Sequence, residues 1–252
     1  MAFLDGRSAL VTGSSRNLGA VSAERLAAHG ATVAVTYRSS EAQARELVAR
    51  LNGATGREHV AVGGDLADGE QVERLVGAAR AGLGGRIDVL VHNAGPFSMT
   101  PFAELGEPES DAIWNVNVKA AQLATRLLAP AMRDAGWGRI VLLSAGSAYL
   151  RNHSIYGMAK QALTFLAEEL ALELGPEITV NAVAPGQIAE SADDIAEYDP
   201  TFVERATAHT PAGRLVTRAE VAELVAALCG PSFDMVTGAT LPVDGGWRLQ
   251  RF

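Results

Sequence analysis

Short β-branched apolar runs recur at regular intervals and alternate with longer segments whose apolar residues fall three and four apart. Ser8–Thr12, Ala31–Tyr37, His59–Gly63, Asp88–His92, Arg139–Leu143 and Ile178–Val183 read as strands, with a short last one at Thr240–Val243. Most are apolar at successive positions, as strands covered on both faces must be. Helical spacing occupies Ala20–His29, Glu41–Leu51, Gly69–Leu83, Asp111–Asp134, His153–Leu174 and Arg218–Cys229, with Ser110 as the expected N-cap of the fourth. Such alternation predicts an α/β fold, a parallel sheet doubly wound by right-handed crossovers. No linker, repeat or low-complexity stretch divides it, so residues 1–252 read as one domain. The irregular stretch Gly186–Gly213 reads as a flap near 187–213.

Composition removes other classes. The single cysteine, Cys229, excludes an intramolecular disulfide and a cysteine-based zinc site. A net charge of -8 argues against a general nucleic-acid or anionic-membrane binder. No apolar run approaches the ~18–20 residues of a membrane span, nor does the first stretch look like a signal peptide. The expectation is a cytosolic protein acting on a small molecule.

Two segments carry chemistry. The first strand runs into Gly13-Ser-Ser-Arg-Asn-Leu-Gly19 and then a helix, a turn in which backbone amides can approach a pyrophosphate at a positive helix end. Strict Gly-x-Gly-x-x-Gly spacing is absent, and an ordinary βα turn is the bland alternative. About twenty residues on, Arg38-Ser39 stands where an acid would bind a ribose 2′-hydroxyl. Arg38, with Arg16, suits a 2′-phosphate instead and favours NADP(H) over NAD, unless both are solvated surface arginines. Tyr156 and Lys160 are four apart in a predicted helix, hence on one face. With four tyrosines and two lysines in the chain, only about 0.03 such pairs are expected by chance. An adjacent ammonium is expected to pull the phenol pKa down toward the working range. The bland alternative is a surface pair.

These segments, with Asp65-Leu66, Asn93-Ala94-Gly95, Asn117, Pro185-Gly186 and Asp244-Gly245-Gly246, occur in the order of the short-chain dehydrogenase/reductase family, which the whole chain resembles. The resemblance implies a Rossmann-type seven-stranded sheet in the order 3-2-1-4-5-6-7. It implies that Gly13, Ser15, Arg16, Asn17, Leu18 and Gly19 hold the cofactor pyrophosphate, with Arg38 and Ser39 near the ribose. Asp65 and Leu66 would flank the adenine, Asn93, Ala94 and Gly95 would line the cleft, Pro185 and Gly186 would pass beneath the nicotinamide, and Ile188 would also bind the cofactor. Tyr156 would be the proton donor in carbonyl reduction and Lys160 its partner on the ribose hydroxyls. Asn117 would hold a relay water. Homo-oligomers, dimers or tetramers, are usual in the family, and Phe233–Leu241 suits an interface.

Three departures stand out. The family's middle glycine is Asn17, which tolerates left-handed backbone. The orienting serine, usually thirteen before the tyrosine, falls on Leu143, or on Ala145 if aligned from Gly138. Ser144 is then the expected hydroxyl and Ser147 the reserve, either of which can instead be a small residue ending a strand. A threonine often five residues after the Pro-Gly proline is Glu190. The expected pocket wall is Phe97, Met99, Phe102, Tyr149, Leu150, His153 and Phe202, suited to a hydrophobic ketone such as an aromatic or polyketide-like one. An enoyl-thioester reductase and a non-enzymatic NADP-binding protein are the alternatives. The four-residue Tyr–Lys spacing favours carbonyl reduction over the first.

Overall fold

The computed structural model describes residues 2–146, 154–196 and 199–249. Seven parallel strands form one sheet in the order β3-β2-β1-β4-β5-β6-β7. They are β1 Ser8–Thr12, β2 Thr32–Tyr37, β3 Val60–Gly63, β4 Val89–His92, β5 Gly138–Leu143, β6 Ile178–Pro185 and β7 Thr240–Val243. Alternate residues along each strand point to opposite faces. Leu10, Ala34, Leu90, Ile140 and Val180 therefore enter one core. Val11, Val33, Val35, Val89, Val91 and Val141 enter the other.

The first core lies under α3 (Gly69–Gly82), α5 (Ala120–Asp134) and α6 (Ile155–Leu174). The second lies under α1 (Asn17–Ala28), α2 (Glu41–Thr55) and α9 (Arg218–Leu228). Two covered faces explain why the strands lack polar alternation. Truncating a side chain such as Leu10 or Leu90, both wholly buried, would cost about 2–5 kcal/mol.

The long helix expected over Asp111–Asp134 is three pieces. α4 (Glu107–Trp114) leads into a π-helical turn, Asn115–Lys119, and then α5. Ser110 is not its N-cap. Gly106 holds that position, because Pro108 fits the first turn and Glu107 and Glu109 favour its positive end. The stretch Gly186–Gly213 is less irregular than expected, holding α7 (Ala189–Ala196) and α8 (Phe202–Ala208). Of the segment expected to form an interface, Phe233, Val236 and Leu241 pack against the second core. Met235 alone among its large apolar residues is strongly exposed. No helix among the described residues is long and apolar enough to cross a membrane.

Candidate active site

The strand order reverses between β1 and β4, and ligands of open α/β sheets bind outside the carboxyl ends of strands at such a point. The Gly13–Gly19 turn leaves β1 there, held against β2 by three bonds. Gly13 N–H donates to Thr36 Oγ1 (2.9 Å), Ser14 N–H to the Thr36 carbonyl (3.1 Å), and Thr36 N–H to Ser14 Oγ (2.8 Å). Two positions in the turn admit only glycine. A Cβ on Gly13, at φ +62°, would lie 2.9 Å from Ala94 Cα, and one on Gly19 would lie 2.4 Å from the Gly13 carbonyl oxygen. Asn17 takes the left-handed backbone at φ 53°. No side chain among the described residues caps the start of α1, which leaves the first-turn amides to an anion. The turn thus fits a pyrophosphate by its shape and by its free donors.

Arg16, Arg38 and Ser39 are exposed at this same corner, and neither arginine has an ion pair among the described residues. The Asp65 carboxylate accepts from Ala67 N–H (2.9 Å) while its own N–H donates to Gln71 (3.0 Å). The Leu66 side chain turns inward to the first core.

Across the switch point, Thr12 Oγ1 accepts the N–H groups of Asn93 and Ala94, both at 3.0 Å. The Asn93 amide donates to the carbonyls of Thr12 and Gly13, both at 3.1 Å, fastening the two turns together. Gly95 then passes against Asn117 and Lys160. A Cβ on it would lie 2.2 Å from Asn117 Oδ1 and 3.0 Å from Lys160 Nζ. Asn117, fully buried in the π-helical turn, donates to the carbonyls of Ile113 (2.9 Å) and Pro96 (3.3 Å). Its Oδ1 has no partner among the described residues.

The side chain of Ser154 caps α6 by accepting from Gly157 N–H (3.1 Å), which sets Tyr156 in the first turn and Lys160 one turn further on the same face. Lys160 Nζ donates to the Leu143 carbonyl (2.7 Å) and lies 5.5 Å from the Tyr156 ring centre. Burial pushes the ammonium down to about 7 and the phenol up to about 12. This corrects the expectation of a phenol drawn downward. In the chain by itself, loss of solvent around Tyr156 outweighs the attraction of a cation that is itself easily discharged.

Ser144 is also corrected. Its hydroxyl is buried and donates to the Lys160 carbonyl (2.8 Å), bracing α6 against the end of β5. The hydroxyl is therefore committed away from the cleft. Ser147, Tyr149, Leu150 and His153 lie outside the described residues. Pro185 ends β6 and Gly186 follows it, where Gly186 N–H donates to the Val243 carbonyl (2.9 Å) and a Cβ would lie 2.8 Å from Asp244. Ile188 makes an isolated bridge with Val216 at the base of the flap. Glu190 serves as an anchor. Both its carboxylate oxygens accept from Arg218 N–H at 3.1 Å, which pins α7 to the first amide of α9, a helix capped by Thr217 itself.

Of the expected wall, Phe97, Met99 and Phe102 are exposed, and Phe97 meets the Tyr156 ring edge-on at 5.0 Å. Glu109 accepts from Ser98 (2.5 Å) and Thr100 (2.8 Å), which tethers the loop that carries them. Phe202 packs instead into the flap's own small core of Ala192, Ala206 and Leu215. Two further residues stand at the site without being singled out by the sequence. The Trp247 ring would lie 3.2 Å from a Cβ on Gly146, just beyond β5. The other is His92, whose place directly before Asn93-Ala94-Gly95 is the one signal that could have found it.

Residues 13–248 match the family model described as Enoyl-(Acyl carrier protein) reductase. The chain belongs to the short-chain dehydrogenase/reductase family. A tropinone reductase homologue of Arabidopsis thaliana is 35% identical, over 99% of this chain and 95% of its own. The structure of a gluconate 5-dehydrogenase from Burkholderia cenocepacia J2315 in complex with NADP and tartrate has a TM-score of 0.90. It is 28% identical and covers 99% of this chain and 98% of its own. A 7α-hydroxysteroid dehydrogenase complexed with NADH and a 7-oxo bile acid conjugate also has a TM-score of 0.90, at 28% identity over 97% and 95% of the two chains. As a member of this short-chain family the chain is an oxidoreductase, and relatives of its fold take either nicotinamide cofactor.

Proposed function

We propose that this short-chain dehydrogenase/reductase is an NADPH-dependent ketoreductase acting on a hydrophobic, aromatic or polyketide-like ketone, or oxidising the corresponding alcohol. The observation that carries the reading is Tyr156 above Lys160 on one face of α6, with Phe97 edge-on to the phenol. Support for NADPH is the pair Arg16 and Arg38, exposed at one corner without an ion pair among the described residues and with no acid at the end of β2. The amides from Ser15 to Gly19 would hold the pyrophosphate, Asp65 and Leu66 would border the adenine, and Asn93 to Gly95 with Pro185, Gly186 and Ile188 would frame the cleft floor.

A reduced nicotinamide bound in this cleft would supply hydride for a carbonyl carbon. Tyr156, protonated at neutral pH, donates its O–H proton to the carbonyl oxygen, so the developing alkoxide leaves as an alcohol. Lys160, with its pKa brought to about 7, can return a proton to the phenolate. The unpartnered Asn117 Oδ1 is suited to hold a relay water behind it. Ser144 takes no part in orienting the substrate. Residues 1–252 act as one domain with the 187–213 flap over the site, and the reading places the enzyme in the cytosol.

A homo-oligomer is part of the proposal. Met158, Phe165 and Leu172 fall seven apart along α6 and are 52%, 59% and 83% exposed, an apolar stripe suited to a second copy. The test is thermal stabilisation by NADPH against NADH, followed by turnover of aryl ketones and of a crotonyl thioester. NADPH at ~100 times its Kd adds about 2.7 kcal/mol, and Tyr156→Phe should abolish ketone reduction while leaving that stabilisation. Equal stabilisation by NADH refutes the arginine argument. Turnover of the thioester double bond without ketone reduction favours the enoyl reductase.

A further inference from the structure

His92 ends β4 and is fully buried. Its Nε2 lies 3.0 Å from the Val116 carbonyl oxygen, which only accepts, so Nε2 carries hydrogen and donates. Nδ1 is then the acceptor, 3.2 Å from Thr12 Oγ1. That oxygen already accepts two N–H bonds from Asn93 and Ala94, which leaves its own hydrogen for the imidazole. The pattern is complete only for a neutral ring protonated at Nε2. Burial, and then the charge of Lys160, hold the ring neutral by pushing its pKa down to about 4.

The two ends of this bridge matter. Thr12 immediately precedes Gly13 of the phosphate turn and carries the Asn93–Gly95 turn. Val116 belongs to the π-helical turn and adjoins Asn117, whose Oδ1 lies against Gly95 beside Lys160. Local π geometry gives a helix a wider, less self-sufficient turn and is frequent at functional sites. We propose that His92 is a positioning residue that bolts the π-helical turn bearing Asn117 to the Thr12–Gly13 and Asn93–Gly95 turns. The cofactor seat and the Asn117–Lys160 side of the site are thereby held in one register. The inference rests on the reductase reading for its kinetic arm only.

The kinetic test compares His92→Leu, His92→Asn and His92→Gln with NADPH and acetophenone as the aryl ketone. Leucine removes both bonds. Glutamine keeps a donor at the reach of Val116, and asparagine can serve only Thr12. His92→Leu is expected to lower kcat at least tenfold and to displace the pH–rate profile, with KM for NADPH within threefold. Glutamine should restore most of kcat and asparagine should not. Retention of kcat and profile in the leucine variant, or equal rescue by asparagine, overturns the proposal. An arm needing no turnover is 15N NMR of histidine-labelled wild-type protein. The His92 ring should keep one pyrrole-type and one pyridine-type nitrogen, untitrated between pH 5 and 8, with the proton on Nε2. A ring that titrates in that range, or carries its proton on Nδ1, refutes the bridge. Failure of the wild type to reduce any ketone would instead sink the reductase reading and leave the NMR result standing.

Discussion

Lys160→Met should make the protein more stable while removing its activity. The ammonium is buried and its pKa falls from 10.5 to about 7, through desolvation. At about 1.36 kcal/mol per unit, the folded chain carries a penalty of about 5 kcal/mol for the charged form. Against this stands one hydrogen bond to the Leu143 carbonyl at 2.7 Å, worth about 1.5–3 kcal/mol for a charged donor. Methionine fills a similar volume without charge. The net expected gain at pH 6 is about 2–3.5 kcal/mol, at about 2–4 °C in Tm per kcal/mol for a chain of this length. The sign with pH is fixed. Between pH 7 and 10.5 the unfolded lysine holds its proton and the folded one releases it, so wild-type stability rises with pH by about 1.36 kcal/mol per unit from this group. Below pH 7 both states are protonated, so the slope vanishes and the full penalty remains. Urea unfolding of both proteins without cofactor, from pH 6 to 9.5, reads the difference, because the other titrating groups are common to both. The advantage of the variant should shrink by about 2.7 kcal/mol between pH 7.5 and 9.5. A variant less stable at pH 6, or a difference flat in pH, would refute a strongly desolvated Lys160.

Other outcomes follow from the same geometry. Gly19→Ala puts a Cβ 2.4 Å from the Gly13 carbonyl oxygen and 2.6 Å from Asn93 Nδ2. It should cost about 1–3 kcal/mol and weaken NADPH binding at least tenfold by fluorescence titration. Gly77→Ala, in open space inside α3, should instead stabilise by about 0.4–1 kcal/mol in the same urea assay. Ser144→Ala should lower stability by about 1–2 kcal/mol, yet leave kcat within threefold. A hundredfold loss of kcat would return that hydroxyl to the reacting atoms. Glu190→Gln weakens the anchor of α7 on Arg218 and should speed limited proteolysis between 187 and 213. An unchanged digestion rate would remove the anchor from the account.

How far the sequence speaks depends on whether a residue's partner is near it in the chain or across the fold. Strands such as Val89–His92 and Gly138–Leu143 are legible because burial on both faces leaves no polar alternation, and Gly13 and Gly19 because a tight turn demands them. Tyr156 and Lys160 are legible because helical spacing alone sets them on one face. The π-helical turn is invisible, since its cause is tertiary: Asn117 and Val116 meet Pro96 and His92, more than twenty residues earlier. Ser144 misleads for the same reason. Chain position sets it at the mouth of the site, but the acceptor its hydroxyl finds is the carbonyl of Lys160, on the helix packed against it. Glu190 reverses the case, for a carboxylate that looks like a damaged cofactor contact finds its use at the first amide of α9. His92 belongs with these. A histidine before Asn93-Ala94-Gly95 reads as one more strand residue until its two nitrogens are seen to face a hydroxyl on β1 and a carbonyl on the π-helical turn, and only then does its tautomer acquire a consequence for Asn117 and Lys160.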